Sequence, residues 1–553
     1  MRRTPSRIAL SATVVAAAVA VAACAPSAPT SQTSSTSAAT SGGSSSAAVP
    51  AGGAAGGGTI NIATTTDVVN YNPLVGNSRT DYWITNLMYP HLLTIAPDGT
   101  KQAALATKWG YSNPTTGYFD IRGDMTWSDG VKLTAKDVAY TINATIKDKP
   151  AGTLYGQLTN IKSATATSDT HVDIALIEPD ATVVNEVGFW GNVVPEHIFS
   201  KDGSVAKFAN DKNWVSAGPF VLTNVVKGQS YTMDAVKSYP LAPGGAPKAS
   251  KVIYRVYPDV NTEILALQKG DVDIIANAIP PAQVKNLQKA DGIKLAEIPG
   301  LGYAHMTYNM NKKPLDKLAV RQALAHAVNY EAIRNVVLQG QGVSTGSSPI
   351  MPVLKQFYDP SLKEYSFNPD MSRKLLTDAG YKADGSGKFP LSFRLIYSLQ
   401  DAVTSQWVTL VKDDAAKAGI TVALQGLERN TYLAKAAAGD FDIYAGNFAI
   451  MDDPATNMAL TYLKDGAINY SYVNDPQLTS LIGQARVATS RAASLKLLQQ
   501  AAKIVHDNVY DNVMYTQNLY IAYRSDVSGL VVKPSELLSV LDPVSLAAIT
   551  KTS

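Results

Sequence analysis

One sequence pattern in the chain is typical of a catalytic nucleophile, and it surrounds Ser344. Residues 342–346 (GVSTG) match the G-x-S-x-G pattern of hydrolases, in which a sharp turn between a strand and a following helix exposes the serine. Residues 347–352 (SSPIMP) contain two prolines and cannot begin a helix cleanly. We therefore expect no catalytic residue, and a surface hydrolase that uses Ser344 is kept as a remote alternative.

Metal and nucleotide chemistry have no support in the residue spacing. The six histidines are scattered, without an H-E-x-x-H pair or another compact ligand spacing. Cys24 is the only cysteine, so neither a disulfide framework nor a thiolate cluster can form within the chain. No G-x-x-x-x-G-K-[ST] phosphate loop occurs. We predict no cofactor and no metal site, and any energy from ATP would have to come from partner subunits.

Cys24 ends a segment that is typical of a bacterial lipoprotein signal. Arg2, Arg3 and Arg7 precede an apolar run over residues 8–23, which is too short to span a bilayer comfortably. A thiol directly after small residues can be linked to a diacylglyceryl group, and two acyl chains give a stable anchor. We expect export and a lipid anchor at Cys24 on the outer face of the cytoplasmic membrane. An ordinary signal peptide with a chance cysteine is the alternative.

The rest of the chain divides into a tether and a globular body. Residues 25–58 are almost wholly Ala, Ser, Thr, Gly and Pro, a composition that cannot build a core, so they are predicted to be a disordered linker. From residue 59 onward the chain is too long for one core and predicts two or three domains. A net charge of +3 over 553 residues provides no basic surface for nucleic acid.

The pattern of the body predicts alternating strands and helices. Residues 251–257 alternate as in a strand, a helix that ends at Gly270 follows, and a strand resumes at Val272. Strand, helix and strand with short joins favour a right-handed parallel crossover, and hence an α/β layer. Residues 129–130 (DG) predict a tight hairpin, and a capping-box helix start follows at Thr134.

Short motifs occur throughout the body in one consistent order. They are residues 71–74 (YNPL), 88–93 (MYPHLL), 104–109 (ALATKW), 127–140 (with W-x-D-G at its start), 216–220 (SAGPF), 266–273 (ALQKGDVD), 308–309 (YN), 320–324 (VRQAL) and 375–381 (LLTDAGY). With these motifs the chain resembles the family 5 extracytoplasmic solute-binding proteins, the dipeptide and oligopeptide receptors of ATP-driven (ABC) importers. The resemblance runs from residue 57 to about residue 530.

The resemblance implies a two-lobed α/β fold of the periplasmic-binding-protein type, with hinge strands and an extra inserted subdomain. The ligand would be enclosed between the lobes as they close. The implied partners are a peptide or other small polar ligand, permease subunits and separate ATPase subunits, and the protein would act as a monomer and not as an enzyme. The expected ranges are the signal peptide at 1–24, the linker at 25–58, lobe I at 59–95, 215–300 and 526–553, the inserted subdomain at 96–214, and lobe II at 301–525.

The residues implied to touch the ligand follow from the same resemblance. In dipeptide-binding relatives a Gly-Trp-x-x-Asp-x-x-Asp-Pro segment supplies an aspartate for the ligand's ammonium group. Here residues 446–454 (GNFAIMDDP) place Ile450 at that position, and isoleucine cannot pair with an ammonium; Asp452 could substitute if the loop shifts. No arginine for the ligand carboxylate follows residues 393–397; residues 398–400 (SLQ) stand there. The candidate ligand-binding residues are Tyr71, Asn72, Tyr308, Asn309, Tyr397, Gln400, Asn447, Phe448 and Asp452.

Two classes of cargo stay open, and packing in the core or hinge is the alternative role for each candidate residue. Peptides are predicted first, because an extended peptide can pair through its main chain as an added strand and through its charged ends. The Ile450 departure favours instead a non-peptide cargo in the same fold, such as a metal chelate, haem or an oligosaccharide.

Overall fold

The computed structural model describes residues 57–75, 78–150, 153–488, 491–535 and 537–552. The predicted signal peptide, the linker as far as residue 56 and the lipidation site Cys24 lie outside this part of the chain. None of the helices in the described ranges is long and apolar enough to cross a membrane.

The described residues form an alternation of strands and helices. The strands are β1 (Thr59–Thr64), β2 (Leu93–Ile95), β3 (Lys101–Ala103), β4 (Ala106–Asn113), β5 (Thr116–Ile121), β6 (Ile161–Ala166), β7 (His171–Leu176), β8 (Phe220–Val226), β9 (Ser230–Ala235), β10 (Lys251–Val256), β11 (Ile274–Ile275), β12 (Ile293–Ile298), β13 (Tyr303–Tyr308), β14 (Gly342–Val343), β15 (Ser392–Ser398), β16 (Thr421–Leu427), β17 (Ile443–Phe448), β18 (Asp511–Gln517), β19 (Leu519–Arg524), β20 (Val527–Ser528) and β21 (Thr550–Lys551). The helices are α1 (Arg79–Asn86), α2 (Ala135–Asp148), α3 (Thr153–Gln157), α4 (Val183–Trp190), α5 (Glu196–Phe199), α6 (Val260–Lys269), α7 (Pro281–Leu287), α8 (Leu318–His326), α9 (Tyr330–Ala332), α10 (Pro369–Asp378), α11 (Ala402–Lys417), α12 (Arg429–Ala438), α13 (Pro454–Tyr462), α14 (Pro476–Val487), α15 (Arg491–Asp507) and α16 (Pro543–Ala548), with a π-helical turn at Ile333–Val337.

The first lobe is built on a seven-stranded sheet with the order β12-β19-β11-β1-β10-β9-β8. β1 pairs in parallel with both β10 and β11, and α6 connects those two strands, which confirms the predicted crossover. α6 begins where the Asp259 side chain accepts hydrogen bonds from two backbone N–H groups, and it ends where Gly270 adopts a φ of 82°.

A smaller subdomain is inserted between β1 and β8, and it contains the four-stranded antiparallel sheet β4-β5-β7-β6. α2 packs against β6 of this sheet. The predicted capping box is present at the start of α2, since the Thr134 backbone N–H donates to Asp137 Oδ2 at 2.9 Å. The predicted hairpin is present too, with Thr126 paired to Lys132 and Gly130 at a φ of 91°.

The second lobe is built on a six-stranded sheet with the order β14-β18-β13-β17-β15-β16. Its core packs α8 and α11 on this sheet around the fully buried side chains of Tyr308 and Trp407. The sheet is mixed: β15 pairs in parallel with β16 and β17, whereas β13 pairs antiparallel with β17 and β18.

The chain crosses between the two sheets at two adjacent places, which we call the hinge. β12 continues through residues 299–302 into β13, and β18 continues through Asn518 into β19. A Cβ atom on Gly302 would lie 1.8 Å from the Phe448 carbonyl oxygen, so this close approach of two backbones requires glycine.

β19 lies on the other side of the expected lobe boundary. It pairs with β11 and β12 and therefore belongs to the seven-stranded sheet, although lobe II was expected to extend to residue 525. The chain returns earlier because six residue pairs join β19 to β12, from Ile293 with Arg524 to Ile298 with Leu519. Below, lobe II means residues 301–517, and lobe I means the seven-stranded sheet with its helices and the inserted subdomain.

A third apolar cluster joins the inserted subdomain to lobe II. It combines Ile95 and Phe189 on the lobe I side with residues of α13, α14 and α15, including Met458, Ile482 and Leu498. We call this contact the subdomain interface.

Candidate ligand-binding site

A cavity of about 380 Å³ lies beside the hinge and is bounded by both lobes. A volume of this size is within the usual range of small-molecule sites, roughly 300 to 1,000 Å³. Its lining residues are Arg79, Leu519, Ser535 and Leu537 of lobe I, Gly300 to Ala304 and Gln517 of the hinge region, and Asp401, Val403, Thr404, Asn447, Phe448, Ala449, Ile450 and Tyr515 of lobe II.

Asp401 and Asn447 form the polar part of the lobe II wall. Asp401 is the N-cap of α11: its Oδ1 accepts from the Thr404 backbone N–H at 2.9 Å, and its Oδ2 accepts from the Thr404 hydroxyl at 2.7 Å. Asn447, at the end of β17, is exposed, and its Nδ2 donates to Asp401 Oδ2 at 2.6 Å. The cap and the amide together fix the direction of this carboxylate.

Phe448 forms the aromatic part of the same wall. Its ring is half-buried and contacts the rings of Tyr303, with centroids 5.4 Å apart, and His305, with centroids 4.4 Å apart. Both neighbours belong to β13, and β18 has one extra residue opposite Ala304 and His305, where the register between the two strands shifts.

A buried polar network supports this aromatic wall from behind. His305 Nδ1 lies 2.8 Å from Asp511 Oδ1, which also accepts from the Thr307 hydroxyl at 2.9 Å, and Asp511 Oδ2 accepts from the Tyr462 hydroxyl at 3.1 Å. Burial, and Asp511 in addition, raise the pKa of Tyr462 well above its ordinary value, so the phenol stays a donor. The network holds His305, and through it the Phe448 ring, in one position.

The lobe I wall is positioned by the start of α1. Ser78 and Asp81 form a capping box, in which the Asp81 backbone N–H donates to Ser78 Oγ at 2.9 Å and the Ser78 N–H donates to Asp81 Oδ2 at 3.1 Å. Arg79 follows the cap directly and is exposed. Further along α1, Trp83 Nε1 donates to the Leu537 carbonyl at 3.0 Å and so holds the second part of this wall.

Of the nine residues expected from the sequence to touch a ligand, Asn447 and Phe448 line this cavity. Tyr71 is half-buried and packs against the rings of Trp214 and Tyr231. Tyr397 is half-buried on β15, where it packs over Gly426, and Gln400 is exposed beyond the end of that strand. These three side chains are not among the lining residues.

Asn72, Tyr308 and Asn309 are buried away from the cavity, because other parts of the protein use their polar groups. Asn72 Nδ2 donates to the carbonyl oxygens of Val205 and Phe208, both at 2.8 Å. The remaining two do the same within lobe II: Asn309 Nδ2 donates to two backbone carbonyls at 3.1 Å, and the Tyr308 hydroxyl accepts from an asparagine amide at 3.3 Å. These three side chains are not among the lining residues of this cavity.

Asp452 lies in the subdomain interface and not on the wall of this cavity. It forms a buried ion pair with Lys101, and the side chains are 3% and 11% exposed, respectively. Burial by itself would lower the pKa of Lys101, but Asp452 and Glu186 reverse that effect and raise it above its ordinary value. Asp452 is thus already paired with a cation of the protein itself.

More charged groups surround that ion pair. Burial, with Asp452 adding to it, raises the pKa of Glu186 well above its ordinary range, and burial also raises the pKa of Asp453. Arg486 of α14 pairs with Asp180 of the subdomain at the rim of the same interface. A larger cavity of about 770 Å³ lies here, and its lining includes Lys101, Asp452 and Asp180.

The hydrolase alternative is wrong on geometry. Ser344 follows the two-residue strand β14, and the next helix, α10, begins only at Pro369, so the required strand-turn-helix is missing. The Ser344 hydroxyl donates to Glu364 Oε2 at 2.9 Å. Within the described ranges, no three His, Cys, Asp or Glu side chains come together as a metal site would require.

Asp401 and Arg79, the charged side chains of the described lining, were not among the residues expected from the sequence. Asp401 directly follows the three residues that were searched for a basic side chain, and its spacing of three to Thr404 is a helix-cap signal. Arg79 has no comparable signal, because only the fold brings α1 to the cavity.

Comparison with known proteins gives a consistent result. The family model of bacterial extracellular solute-binding proteins, family 5, matches residues 101–470. The chain is 25% identical over 496 residues to the dipeptide-binding protein of Escherichia coli strain K12, covering 84% of this chain and 90% of that protein.

Two solved structures extend the comparison to the fold. The ABC transporter substrate-binding protein CtaP of Listeria monocytogenes has a TM-score of 0.79 at 21% identity, covering 90% of this chain and 100% of that one. NikZ of Campylobacter jejuni in complex with Ni(L-His) has a TM-score of 0.71 at 19% identity, covering 89% of this chain and 99% of that one. The architecture is therefore that of two-lobed binding proteins.

Proposed function

The chain belongs to the bacterial extracellular solute-binding proteins of family 5, and from that premise we propose that it captures peptides in the cavity beside the hinge and delivers them to the permease of an ABC importer. Proteins of this family bind solutes and are not enzymes, so the chain is an exported binding protein. The open question is its cargo.

The observation that carries the proposal is that both lobes and the hinge bound a single cavity. A ligand in it contacts lobe I through the start of α1 and lobe II through the end of β17. Only the closed arrangement offers both sets of contacts, so the ligand stabilises closure by the difference in contacts between the closed and open arrangements. The permease then distinguishes loaded from empty protein by shape.

The lining chemistry supports peptides as the cargo. The Asn447 amide and the Thr404 hydroxyl provide hydrogen-bonding groups for peptide units, and Phe448 provides an aromatic surface for an apolar side chain. The similarity to the dipeptide-binding protein of E. coli supports the same class. In this proposal Asn447 and Phe448 contact the ligand.

A non-peptide cargo is the second candidate, and Ile450 favours it. Ile450 lines the cavity at the position where the family resemblance places an ammonium-binding aspartate. A solute without a free amino group, such as a metal chelate, loses nothing there, and the similar NikZ was solved with Ni(L-His).

Mass spectrometry of the ligand retained through purification tests both candidates. We expect peptides; recovery of a chelate, haem or a sugar in their place would replace the proposal by the second candidate. Phe448→Ala should lower the affinity for the recovered ligand by about tenfold or more, from the loss of buried aromatic surface. Phe367→Ala, which removes a half-buried ring of lobe II outside the cavity, is the matched control and should leave the affinity unchanged.

We propose further that a lipid on Cys24 holds a monomer at the outer face of the cytoplasmic membrane, beside a permease whose separate ATPase subunits supply the energy for transport. The small residues before Cys24 support this assignment. In a bacterial host, radiolabelled fatty acid should enter the wild-type protein and not Cys24→Ser. Light scattering of the purified body should give the mass of one chain, and a dimer mass would contradict the monomer.

A further inference from the structure

The cavity of about 770 Å³ at the subdomain interface, which we call the interface cavity, also has walls from both lobes. Its volume is within the usual range of ligand sites, and it shares no lining residue with the hinge cavity. Two contacts join its walls. The Ala181 N–H donates to the Arg486 carbonyl oxygen at 2.6 Å, and Lys101 pairs with Asp452. The interface cavity is therefore a separate space that no part of the proposed function uses.

One wall of the interface cavity is the edge of strand β4. Residues 109–113 all line it, although successive side chains of a strand point to opposite faces of a sheet. Trp109 Nε1 donates to Asn185 Oδ1 at 3.1 Å. The Tyr111 hydroxyl accepts from the Val184 N–H at 3.0 Å, so both aromatic side chains are held on the face towards α4. Because the residues between and after them lie on the other face, it is the edge of β4 that borders the cavity.

The backbone along this edge can form further hydrogen bonds. β4 is the outer strand of its sheet, and β5 is its only partner strand in the described part of the chain. Register shifts separate Ala106 from Lys108 and Tyr111 from Asn113, so residues 108–111 form a regular antiparallel ladder between them. In such a ladder every second residue directs its N–H and C=O away from the partner strand. Two residues of this stretch therefore present one donor and one acceptor each along the outer edge.

The lobe II wall leaves room for a peptide backbone beside β4. It is formed by the end of α14 and by α15, and it contains the small side chains of Ala485, Ala488 and Ser494. A strand that is added to a sheet lies about 4.8 Å from its neighbour, and small side chains allow its backbone to come that close. Val487 and Leu498 of the same wall offer apolar surface to the side chains of such a strand.

The charges of the interface cavity favour a basic ligand over an acidic one. Asp180, Asp452 and Asp453 line it, whereas Lys101 is the one cation among the described lining residues. Arg486 pairs with Asp180, and even so one carboxylate is in excess. Burial, and Asp452 in addition, raise the pKa of Asp453, as expected where negative charges are crowded. A cationic side chain in the cavity would relieve this repulsion.

We propose that the interface cavity is a second peptide site, in which an extended peptide with a basic side chain pairs with the outer edge of β4 as an added strand. The main chain of the peptide bonds to the outward N–H and C=O groups of residues 108–111, and its basic side chain lies near Asp453. This site goes beyond the proposed function, because the hinge cavity takes no part in it.

Native mass spectrometry of the purified protein with a designed peptide tests the site. The probe is a pentapeptide with an acetylated and an amidated end, in which threonine and valine flank a central lysine. A second peptide has the same sequence with methyl groups on two adjacent central backbone nitrogens, which blocks both edges of the peptide for strand pairing. We expect the wild type to bind the unmodified probe at least about tenfold more tightly, from the loss of one or two hydrogen bonds. Replacing the lysine of the probe by glutamate should also weaken binding by about tenfold.

Two variants locate the bound probe. Ala488→Phe and, from the other helix, Ser494→Phe place a large ring in the interface cavity and should each weaken binding of the probe at least about tenfold. Ala434→Phe, which makes the same kind of change on the exposed face of α12 outside both cavities, is the matched control. Phe448→Ala, which alters the hinge cavity, should leave the binding of the probe to the interface cavity unchanged.

The outcomes separate this site from the proposed function. If the methylated peptide binds as well as the probe, strand addition is overturned, and this result does not depend on the folding of any variant. Equal binding of the lysine and glutamate peptides overturns the preference for a basic ligand. If the wild type does not bind the probe, or if both filling variants bind it like Ala434→Phe, the second site is overturned. If Phe448→Ala alone loses the probe, the peptide occupies the hinge cavity, so peptide capture stands and this inference fails.

Discussion

The two regions in which the lobes meet use charge in opposite ways. At the subdomain interface Lys101 of lobe I pairs directly with Asp452 of lobe II, and both side chains are largely buried. At the hinge cavity Asp401 and Arg79 line the two walls of a space of about 380 Å³. The ion pair of the subdomain interface joins the two lobes directly, whereas the charged side chains of the hinge cavity border a space.

The packing differs in the same sense. The subdomain interface contains a continuous apolar cluster with Phe189 and Met458, and Lys101 Nζ lies 3.7 Å from the centre of the Phe189 ring. The hinge cavity instead has Gly300 and Gly302 in its lining, where backbones approach each other closely. We therefore expect substitutions in the subdomain interface to lower the stability of the fold and substitutions in the hinge cavity to lower the affinity for the ligand.

The largest effect is expected from Lys101→Met. Removing the cation leaves Asp452 buried without its partner, next to Glu186 and Asp453, and the loss of one member of a buried pair costs about 3 to 5 kcal/mol. Urea unfolding should show this loss in the free energy of unfolding. The double variant Lys101→Met with Asp452→Leu should recover most of it, because the carboxylate that lost its partner is then removed as well.

Lys374→Met is the control for that experiment. Lys374 forms an exposed pair with Asp378, and such pairs contribute about 0.3 to 0.5 kcal/mol. If Lys101→Met lowers the free energy of unfolding by no more than Lys374→Met does, the ion pair at the subdomain interface does not hold the lobes together. The proposed difference between the two regions would then be wrong.

Gly302→Ala should have the next largest effect. The new Cβ would meet the Phe448 carbonyl oxygen, a backbone atom that cannot swing aside, so we expect a loss of about 1 to 3 kcal/mol in the free energy of unfolding. Because Phe448 would be displaced, ligand affinity should fall as well. Gly385→Ala, which adds a Cβ in open space, should change neither quantity; a tolerant residue 302 would argue against a tight hinge.

A smaller effect is expected in the pH dependence of stability. The raised pKa of buried Glu186 means that the folded protein keeps a proton which the unfolded chain releases, so this contribution to stability is complete at low pH and is lost as pH rises above the ordinary glutamate range. Glu186→Gln should therefore lose less stability than the wild type between pH 5 and pH 8, measured by urea midpoints. Equal slopes for the two proteins would contradict a buried, protonated Glu186.

The smallest effect is expected from Arg486→Gln, at the rim of the subdomain interface. The Arg486 side chain is 37% exposed, so its pair with Asp180 should contribute at most about 1 kcal/mol. Asp180 also keeps hydrogen bonds from the N–H and hydroxyl of Thr182, at 2.9 Å and 2.7 Å. If Arg486→Gln lowered the free energy of unfolding as much as Lys101→Met does, burial would not explain the expected difference in strength between the two ion pairs.

Local elements of this fold are predictable from the sequence because their signals are local. The capping box at Thr134 and the positive φ at Gly270 depend only on nearby residues, and both are found where the pattern predicts them. The two-lobed arrangement followed from the family resemblance, since no local pattern contains it. The end of lobe II was placed too late because the pairing of β19 with β12 joins distant parts of the chain.

The candidate site was predicted less well, for a physical reason. A polar side chain at a strand end can face a ligand or satisfy a distant backbone carbonyl, and the sequence near it is the same in both cases. Asn72 satisfies Val205, and Asn309 satisfies Phe441. Asn447 and Phe448 do line the cavity, but the charges beside it, Asp401 and Arg79, are brought there only by the packing of α11 and α1.

The hinge glycines also have a mechanical consequence. Gly300 and Gly302 belong to one crossover between the lobes, and Gln517 directly precedes the other; all three also line the cavity in which the cargo is proposed to bind. Because hinge residues themselves line the cavity, a ligand contacts the segment that bends. The size of the ligand should therefore affect the angle between the two lobes directly. A molecule too large for the cavity would bind and at the same time prevent the lobes from closing. Such a molecule would inhibit uptake and would not itself be transported.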